Sequence, residues 1–142
     1  MNSPLSGRRV LVVEDEMIVA WLLEDMLAEW GCVVIGPAAS VNQALGMIKA
    51  EAIDTAVLDV NLNGEMSYPV ADTLAAREVP FVFTTGYAKD GVLGRYQTVP
   101  ILQKPYHRSA FCDAVAKLLT PKISKDELVV ATVGEESLIT LV

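Results

Sequence analysis

Basic residues are scarce in this chain. Eleven Lys and Arg stand against 18 Asp and Glu, giving a formal net charge of −7. A broad nucleic-acid footprint needs a basic face, and no window reads as a helix-turn-helix, so DNA or RNA binding is not expected. Cysteine is nearly absent. Cys32 and Cys112 show neither metal-ligand spacing nor a disulfide framework, and they read as reduced core thiols of a cytoplasmic protein. No apolar run approaches the roughly 18 residues of a membrane span, so no membrane partner is expected. A leader signature is missing too: Arg8-Arg9 precede Val10–Val13, but Glu14-Asp15-Glu16 follow at once and leave no apolar segment of useful length.

What the chain does have is a core. At 142 residues, 52% hydrophobic and 20% charged, it suits a globular domain rather than a disordered or fibrous one. Val10–Val13 is an unbroken aliphatic run of the kind buried on both faces of a parallel sheet. Met17 to Trp30 reads as a helix with Ile18, Trp21, Leu22, Met26 and Leu27 at helical spacing and Gly31 as its stop. Val33-Val34-Ile35 makes a second strand closed by Gly36-Pro37. Ser40 caps a second helix bearing Ala44, Leu45, Met47 and Ile48. Ile53–Leu58 is the third strand. Pro69 opens a third helix with Val70, Leu74 and Ala75 on its apolar side. Phe81–Thr84 is the fourth strand and Val99–Gln103 the fifth, where Pro100 suits an edge strand or a strand start. The last helix runs from about Arg108 to Leu119, with Phe111, Val115, Leu118 and Leu119 inward.

Strands alternating with helices predict a flavodoxin-like (βα)5 fold, a doubly wound parallel sheet of order 2-1-3-4-5. Two segments break the pattern. Thr85 to Thr98 holds three glycines and no amphipathic period, so the fourth helix is expected to be shortened or irregular. Residues 122–142 form a C-terminal extension beyond a domain of 1–121. In it, Asp126–Val133 and Ser137–Val142 are two β-prone runs around Gly134-Glu135-Glu136, which reads as a hairpin able to dock on a partner or support a dimer. Trp21, Trp30, Phe81 and Phe111 are expected to be core or half-buried, and His107 a solvent-facing residue at a helix start.

In such a sheet ligands bind at the carboxyl ends of the strands. Strands one and three are neighbours, so Glu14, Asp15 and Asp59 converge there. Three close carboxylates invite raised pKa values or a cation, and oxygen-only ligands suit Mg2+. An Asp beside such a cation can act as nucleophile toward a phosphoryl group. Lys104, ending the fifth strand, can place an ammonium against phosphate oxygens, and Thr85, ending the fourth, can offer a hydroxyl.

The ordered segments Val12-Val13-Glu14-Asp15-Glu16, Val57-Leu58-Asp59-Val60-Asn61, Thr84-Thr85-Gly86 and Gln103-Lys104-Pro105-Tyr106 resemble those of the receiver domains of two-component response regulators (CheY-like), over roughly residues 8–120. The resemblance implies Asp59 as phosphoacceptor. It also implies Glu14 and Asp15 as the acidic pair that holds Mg2+ together with Asp59, and the Asn61 carbonyl as a further ligand. It makes Thr85 the switch hydroxyl, and Lys104 the partner of the phosphoaspartate, with a Lys104–Pro105 bond that is usually cis. Pro80-Phe81-Val82-Phe83-Thr84-Thr85-Gly86-Tyr87 is similar to the Pro-Phe-x-Phe-Ala-Thr-Gly-Tyr motif of a subfamily of stand-alone receivers paired with HWE-class sensor histidine kinases. That subfamily has a reduced fourth helix. Thr84 stands in place of the motif's alanine. Gly86 replaces the alanine usual after the switch threonine, and Ile101 replaces a rotating aromatic, leaving Tyr87 to take part of its role.

The expected function is therefore a single-domain response regulator phosphorylated on Asp59 by a sensor histidine kinase or a histidine phosphotransfer protein, signalling through a protein interaction. It would catalyse only its own Mg2+-dependent phosphorylation and dephosphorylation. A phosphate sink or shuttle is the alternative. A small phosphatase-like enzyme with an Asp nucleophile is a reading of another class, but it needs a second Asp two residues later, where Asn61 stands.

Overall fold

The computed structural model of the chain describes residues 5–86, 96, 99–104 and 107–119. The chain alternates β1 (Arg9–Val13), α1 (Met17–Glu29), β2 (Val33–Ala38), α2 (Val41–Ala50) and β3 (Thr55–Asp59). A small hairpin follows, β4 (Asn61–Leu62) and β5 (Glu65–Met66), before α3 (Tyr68–Ala76), β6 (Phe81–Thr85), β7 (Ile101–Gln103) and α4 (Arg108–Leu119). Five parallel strands form one sheet in the order β2-β1-β3-β6-β7. Counted over these principal strands, that is the expected flavodoxin-like order 2-1-3-4-5.

Alternation along the strands sorts the core into two layers. Leu11, Val13, Ala56, Leu58, Phe81 and Phe83 face α2 and α3, while Val10, Val12, Val57 and Val82 face Leu23 and Leu27 of α1 and Phe111 and Val115 of α4. Central strands buried on both sides explain why β1, β3 and β6 read as continuous apolar runs. Phe83 and Phe111 are fully buried, each contributing about 2–3 kcal/mol from area removed from water.

Local chemistry sets the boundaries. The Ser40 hydroxyl accepts from Gln43 N–H at the start of α2. Gly31 takes a positive φ of 85° just past α1, which a β-carbon would disfavour. Asn63 and Gly64, with φ of 54° and 94°, form the tight turn between β4 and β5.

Several expectations need correction. β2 does not stop at Ile35; it continues through Gly36-Pro37 to Ala38. It is an edge strand, where a missing N–H costs little. The buried face of α1 is Ala20, Leu23 and Leu27, whereas Met17, Ile18, Trp21 and Leu22 are 56–70% exposed. Trp21 is thus a surface residue, neither core nor half-buried. In α3 the inward alanine is Ala71, while Ala75 faces solvent. The third strand is shifted to Thr55–Asp59, which makes Asp59 its last residue. Val115 and Phe111 are buried in α4, Trp30 is half-buried against Phe111 with ring centroids 5.7 Å apart, and His107 is exposed, as read from the sequence.

Residues 87–95 and 97–98, and with them the expected irregular fourth helix and Tyr87, lie outside the described residues. So do Pro105 and the 122–142 extension. Tyr96 is described. It is buried in the layer under α3, stacked on Tyr68 and edge-on to Phe81 and Phe83, and its hydroxyl donates to Asp72.

Candidate functional site

The carboxyl ends of β1, β3 and β7 bring together Glu14, Asp15, Asp59 and Lys104, whereas Thr85, at the end of β6, is buried and does not line the cleft. Asp59 ends β3, paired in register with Thr84 of β6. Glu14 follows β1, and its N–H donates to Ala38 O at 2.9 Å, which extends the β1–β2 ladder by one residue. Lys104 follows β7 and is fixed by its N–H to Thr85 O at 2.7 Å. Each side chain thus projects from a strand end anchored by backbone bonds, the arrangement that keeps a site rigid.

Lys104 is the hub. Its Nζ lies 2.8 Å from Glu14 Oε1, 3.1 Å from Asp59 Oδ2 and 3.6 Å from Glu16 Oε1. The Asn61 N–H donates to Asp59 Oδ1 at 3.2 Å, so both oxygens of Asp59 are engaged. Glu14 Oε2 accepts from Glu16 N–H at 3.2 Å. Glu14, Asp59 and Thr85 are almost wholly buried, and Asp15 is half-buried.

Charge is not balanced in this cluster. Burial pushes the Glu14 carboxyl up to about 7, against the lowering effect of its bond to Lys104, and the nearby Asp59 pushes it further in the same direction. Burial alone would lower the Lys104 pKa, but its bond to Glu14 and the charge of Asp59 outweigh that and raise it above the ordinary lysine value. One ammonium therefore serves more than one carboxylate. Oxygens of Glu14, Asp15 and Asp59 lie within 4.8 Å of one another. An all-oxygen set this close fits a small hard divalent cation.

An open cleft of about 620 Å3 gives access, lined by Asp15, Glu16, Asp59, Asn61, Asn63, Gly64, Gly86 and Lys104. Glu16, Asn63 and Gly64 were not singled out in the sequence. The Asn-Gly pair carried a hairpin signal, and the hairpin it turns forms one wall of the cleft. The hairpin is tied back to the body where Glu65 Oε1 accepts from Val41 N–H at 3.2 Å. Gly86 lines the cleft, Ile101 is half-buried under the α3-side layer, and Thr85 is buried at the end of β6. Tyr87 and Pro105 lie outside the described residues.

Asn61 also bears on what the cleft can do. Its side-chain oxygen accepts from Gly64 N–H at 2.6 Å, bracing the turn. An amide so engaged is not a proton shuttle, so the Asp-nucleophile phosphatase reading loses its general acid.

Comparison with known proteins agrees with this geometry. Residues 10–116 match the family described as response regulator receiver domain. The transcriptional regulatory protein PdtaR of Mycobacterium tuberculosis is 26% identical over 112 residues, covering 76% of this chain. The chain spans only 55% of the length of PdtaR. The solution structure of SdrG from Sphingomonas melonis Fr1 is 42% identical with a TM-score of 0.71, covering 82% of this chain and 98% of that one. A BeF3-activated conformation of SdrG is 40% identical with a TM-score of 0.70, covering 84% of this chain and all of that one.

Proposed function

The chain belongs to the response regulator receiver domain family, a signalling module of two-component systems, and from that premise we propose that it takes a phosphoryl group on Asp59 and signals through a phosphorylation-dependent protein contact. The observation that carries this reading is the contact of Lys104 Nζ with Glu14 at 2.8 Å and with Asp59 at 3.1 Å, where Asp59 and Lys104 line one cleft. The BeF3-activated state of SdrG, a 40% identical chain, is in keeping with it.

In this reading Asp59 Oδ attacks the phosphorus of a phosphohistidine, and the bond from phosphorus to the donor nitrogen breaks. Glu14, Asp15, Asp59 and the Asn61 carbonyl would hold Mg2+, which supplies charge neutralisation for the phosphoryl oxygens. Lys104 is already in contact with Asp59 and can follow the new negative charge onto the phosphoryl group. Its bond to Glu14 then weakens. Thr85 is the switch hydroxyl, and Gly86, Tyr87, Ile101 and Pro105 lie along the segments that read its position. No turnover of external esters is required, so the chemistry is confined to the chain's own phosphorylation and loss of phosphate.

The donor is taken to be a sensor histidine kinase, of HWE class by the motif at Pro80–Tyr87, or a histidine phosphotransfer protein. Cytoplasmic residence follows from that partnership; among the described residues no helix is long and apolar enough to cross a membrane. The α1 surface is suited to docking the donor. α1 begins next to Glu16 on the cleft wall, and Met17, Ile18, Trp21 and Leu22 form an exposed apolar face there. Mg2+-dependent transfer from a purified histidine kinase to the wild-type chain tests the reading. Transfer without Mg2+, or none with it, counts against it.

A further inference from the structure

Thr84 is buried to 1% exposure, and among the described residues its hydroxyl oxygen has no hydrogen-bond partner. Buried polar groups nearly always find partners, so a lone hydroxyl in a packed strand asks for a reason. Its position supplies one. Thr84 is the register neighbour of Asp59 across the β3–β6 ladder, and Val60 N–H donates to Thr84 O at 3.0 Å just beyond.

Alternation fixes the face. In β3, Val57 belongs to the α1/α4 layer while Ala56 and Leu58 belong to the other, so Asp59 shares the face of Val57. In β6, Val82 lies in the α1/α4 layer and Phe81 and Phe83 in the other, which puts Thr84 on the same face as Asp59. In β7, Leu102 belongs to that layer too, and Lys104 follows it by two. Since β6 lies between β3 and β7, the Lys104–Asp59 ion pair crosses β6 on the face that carries the Thr84 side chain. Neighbouring strands are only about 5 Å apart.

Ser67 is the other buried hydroxyl without a partner among the described residues, but it precedes α3 and belongs to no strand. Thr84 alone of the two adjoins the reactive carboxylate. It is also the position at which this chain puts a hydroxyl where the similar motif has alanine.

We propose that Thr84 is a positioning residue whose hydroxyl donates to the Asp59 carboxyl group once Lys104 has turned to the phosphoryl group, and that it thereby shortens the life of the acyl phosphate. The inference rests on Asp59 being the phosphoacceptor. At rest, Asp59 Oδ2 is served by Lys104 and Oδ1 by Asn61 N–H. In the acyl phosphate the ammonium is drawn to the phosphoryl oxygens, and Asp59 Oδ2, which it contacts at rest, loses that donor. In hydrolysis, a water oxygen bonds to phosphorus and the bond between phosphorus and the Asp59 oxygen breaks. The electron pair stays on Asp59 as carboxylate, and the water protons leave with inorganic phosphate and solvent. A donor aimed at the departing oxygen stabilises the charge as it develops there.

The test uses the full chain phosphorylated with phosphoramidate and Mg2+, then freed of donor, with loss of phosphate followed over time. Thr84→Val keeps the shape and removes the hydroxyl, and we expect it to lengthen the half-life by about three- to tenfold, the span of one hydrogen bond. Thr84→Ser should restore a half-life near that of the wild type. A second readout is the melting temperature of the unphosphorylated, metal-free chain, which Thr84→Val should leave unchanged or raise, because the resting hydroxyl has no partner among the described residues to lose. A Thr84→Val half-life equal to the wild type's overturns the inference, as does a Thr84→Ser half-life like that of Thr84→Val. A melting temperature lowered by Thr84→Val overturns it too. A wild-type chain that takes no phosphoryl group overturns both this inference and the assignment of Asp59 on which it rests.

Discussion

Lys104 and Glu14 lie 90 residues apart in the chain and 2.8 Å apart in space, ammonium to carboxylate. The pair closes the sheet end over Asp59. It leaves Glu14, nearly inaccessible to solvent, sharing the Lys104 ammonium with Asp59 and Glu16.

The pH dependence of stability should report that crowding. A carboxyl whose folded pKa lies above its unfolded value binds more protons when folded, so stability falls as pH rises between the two values. For Glu14 the interval runs from 4.5 to about 7. Without metal, the wild type should lose stability on the order of 3 kcal/mol across it relative to Glu14→Gln. Lys104 is raised above its ordinary 10.5 and keeps its charge throughout this window. Thermal melts at several pH values check the difference; parallel curves for the two chains would contradict it.

Magnesium should relieve the same crowding. At neutral pH, Mg2+ at about one hundred times its Kd is expected to add roughly 2.7 kcal/mol of stability. Asp15→Asn, which removes one of the clustered oxygens, should lose most of that gain. Melting curves with Mg2+ and with EDTA distinguish the outcomes, and an equal gain in Asp15→Asn would remove Asp15 from the cation site.

The exposed apolar face of α1 gives a third expectation. Ile18→Asp and Trp21→Ala alter side chains that are 70% and 56% exposed, so melting temperature should change little. Truncating a docking anchor costs about 2 kcal/mol or more, so transfer from a histidine kinase should fall at least tenfold. Phosphorylation by phosphoramidate should stay at the wild-type rate. Unchanged kinase transfer in both variants would clear α1 of a docking role.

We propose that the extension at 122–142 joins two copies of the chain. Deleting it should leave residues 1–121 folded and convert a dimer into a monomer, as read by light scattering. A mass per chain that does not change on deletion would separate the extension from assembly.

Much of this was legible in the sequence because strands buried on both faces leave continuous aliphatic runs. Val10–Val13 and Ala56–Leu58 announce the central sheet, and a run that ends in an acid marks the strand end where chemistry gathers. The face of α1 was not legible. Ile18, Trp21 and Leu22 satisfy the helical period as well as Ala20, Leu23 and Leu27 do, and a helix apolar on both sides does not say which side the sheet takes. The continuation of β2 was hidden by Gly36-Pro37, a pair that reads as a stop unless the strand is known to be an edge. The β4–β5 hairpin has strands of two residues each, too short for any period, and only Asn63-Gly64 betrayed its turn. The role of Thr84 needed the register. That Thr84 stands beside Asp59 across the β3–β6 ladder cannot be read from residue types alone.

Locating the phosphoryl group tests the central claim most directly. The full chain is phosphorylated with phosphoramidate and Mg2+, reduced with borohydride to trap any acyl phosphate, and mapped by peptide mass spectrometry. The modification is expected at Asp59 and nowhere else, and Asp59→Asn should remain unmodified under the same conditions. A modified residue elsewhere in the wild type, or an Asp59→Asn chain labelled to the wild-type extent, would contradict the assignment.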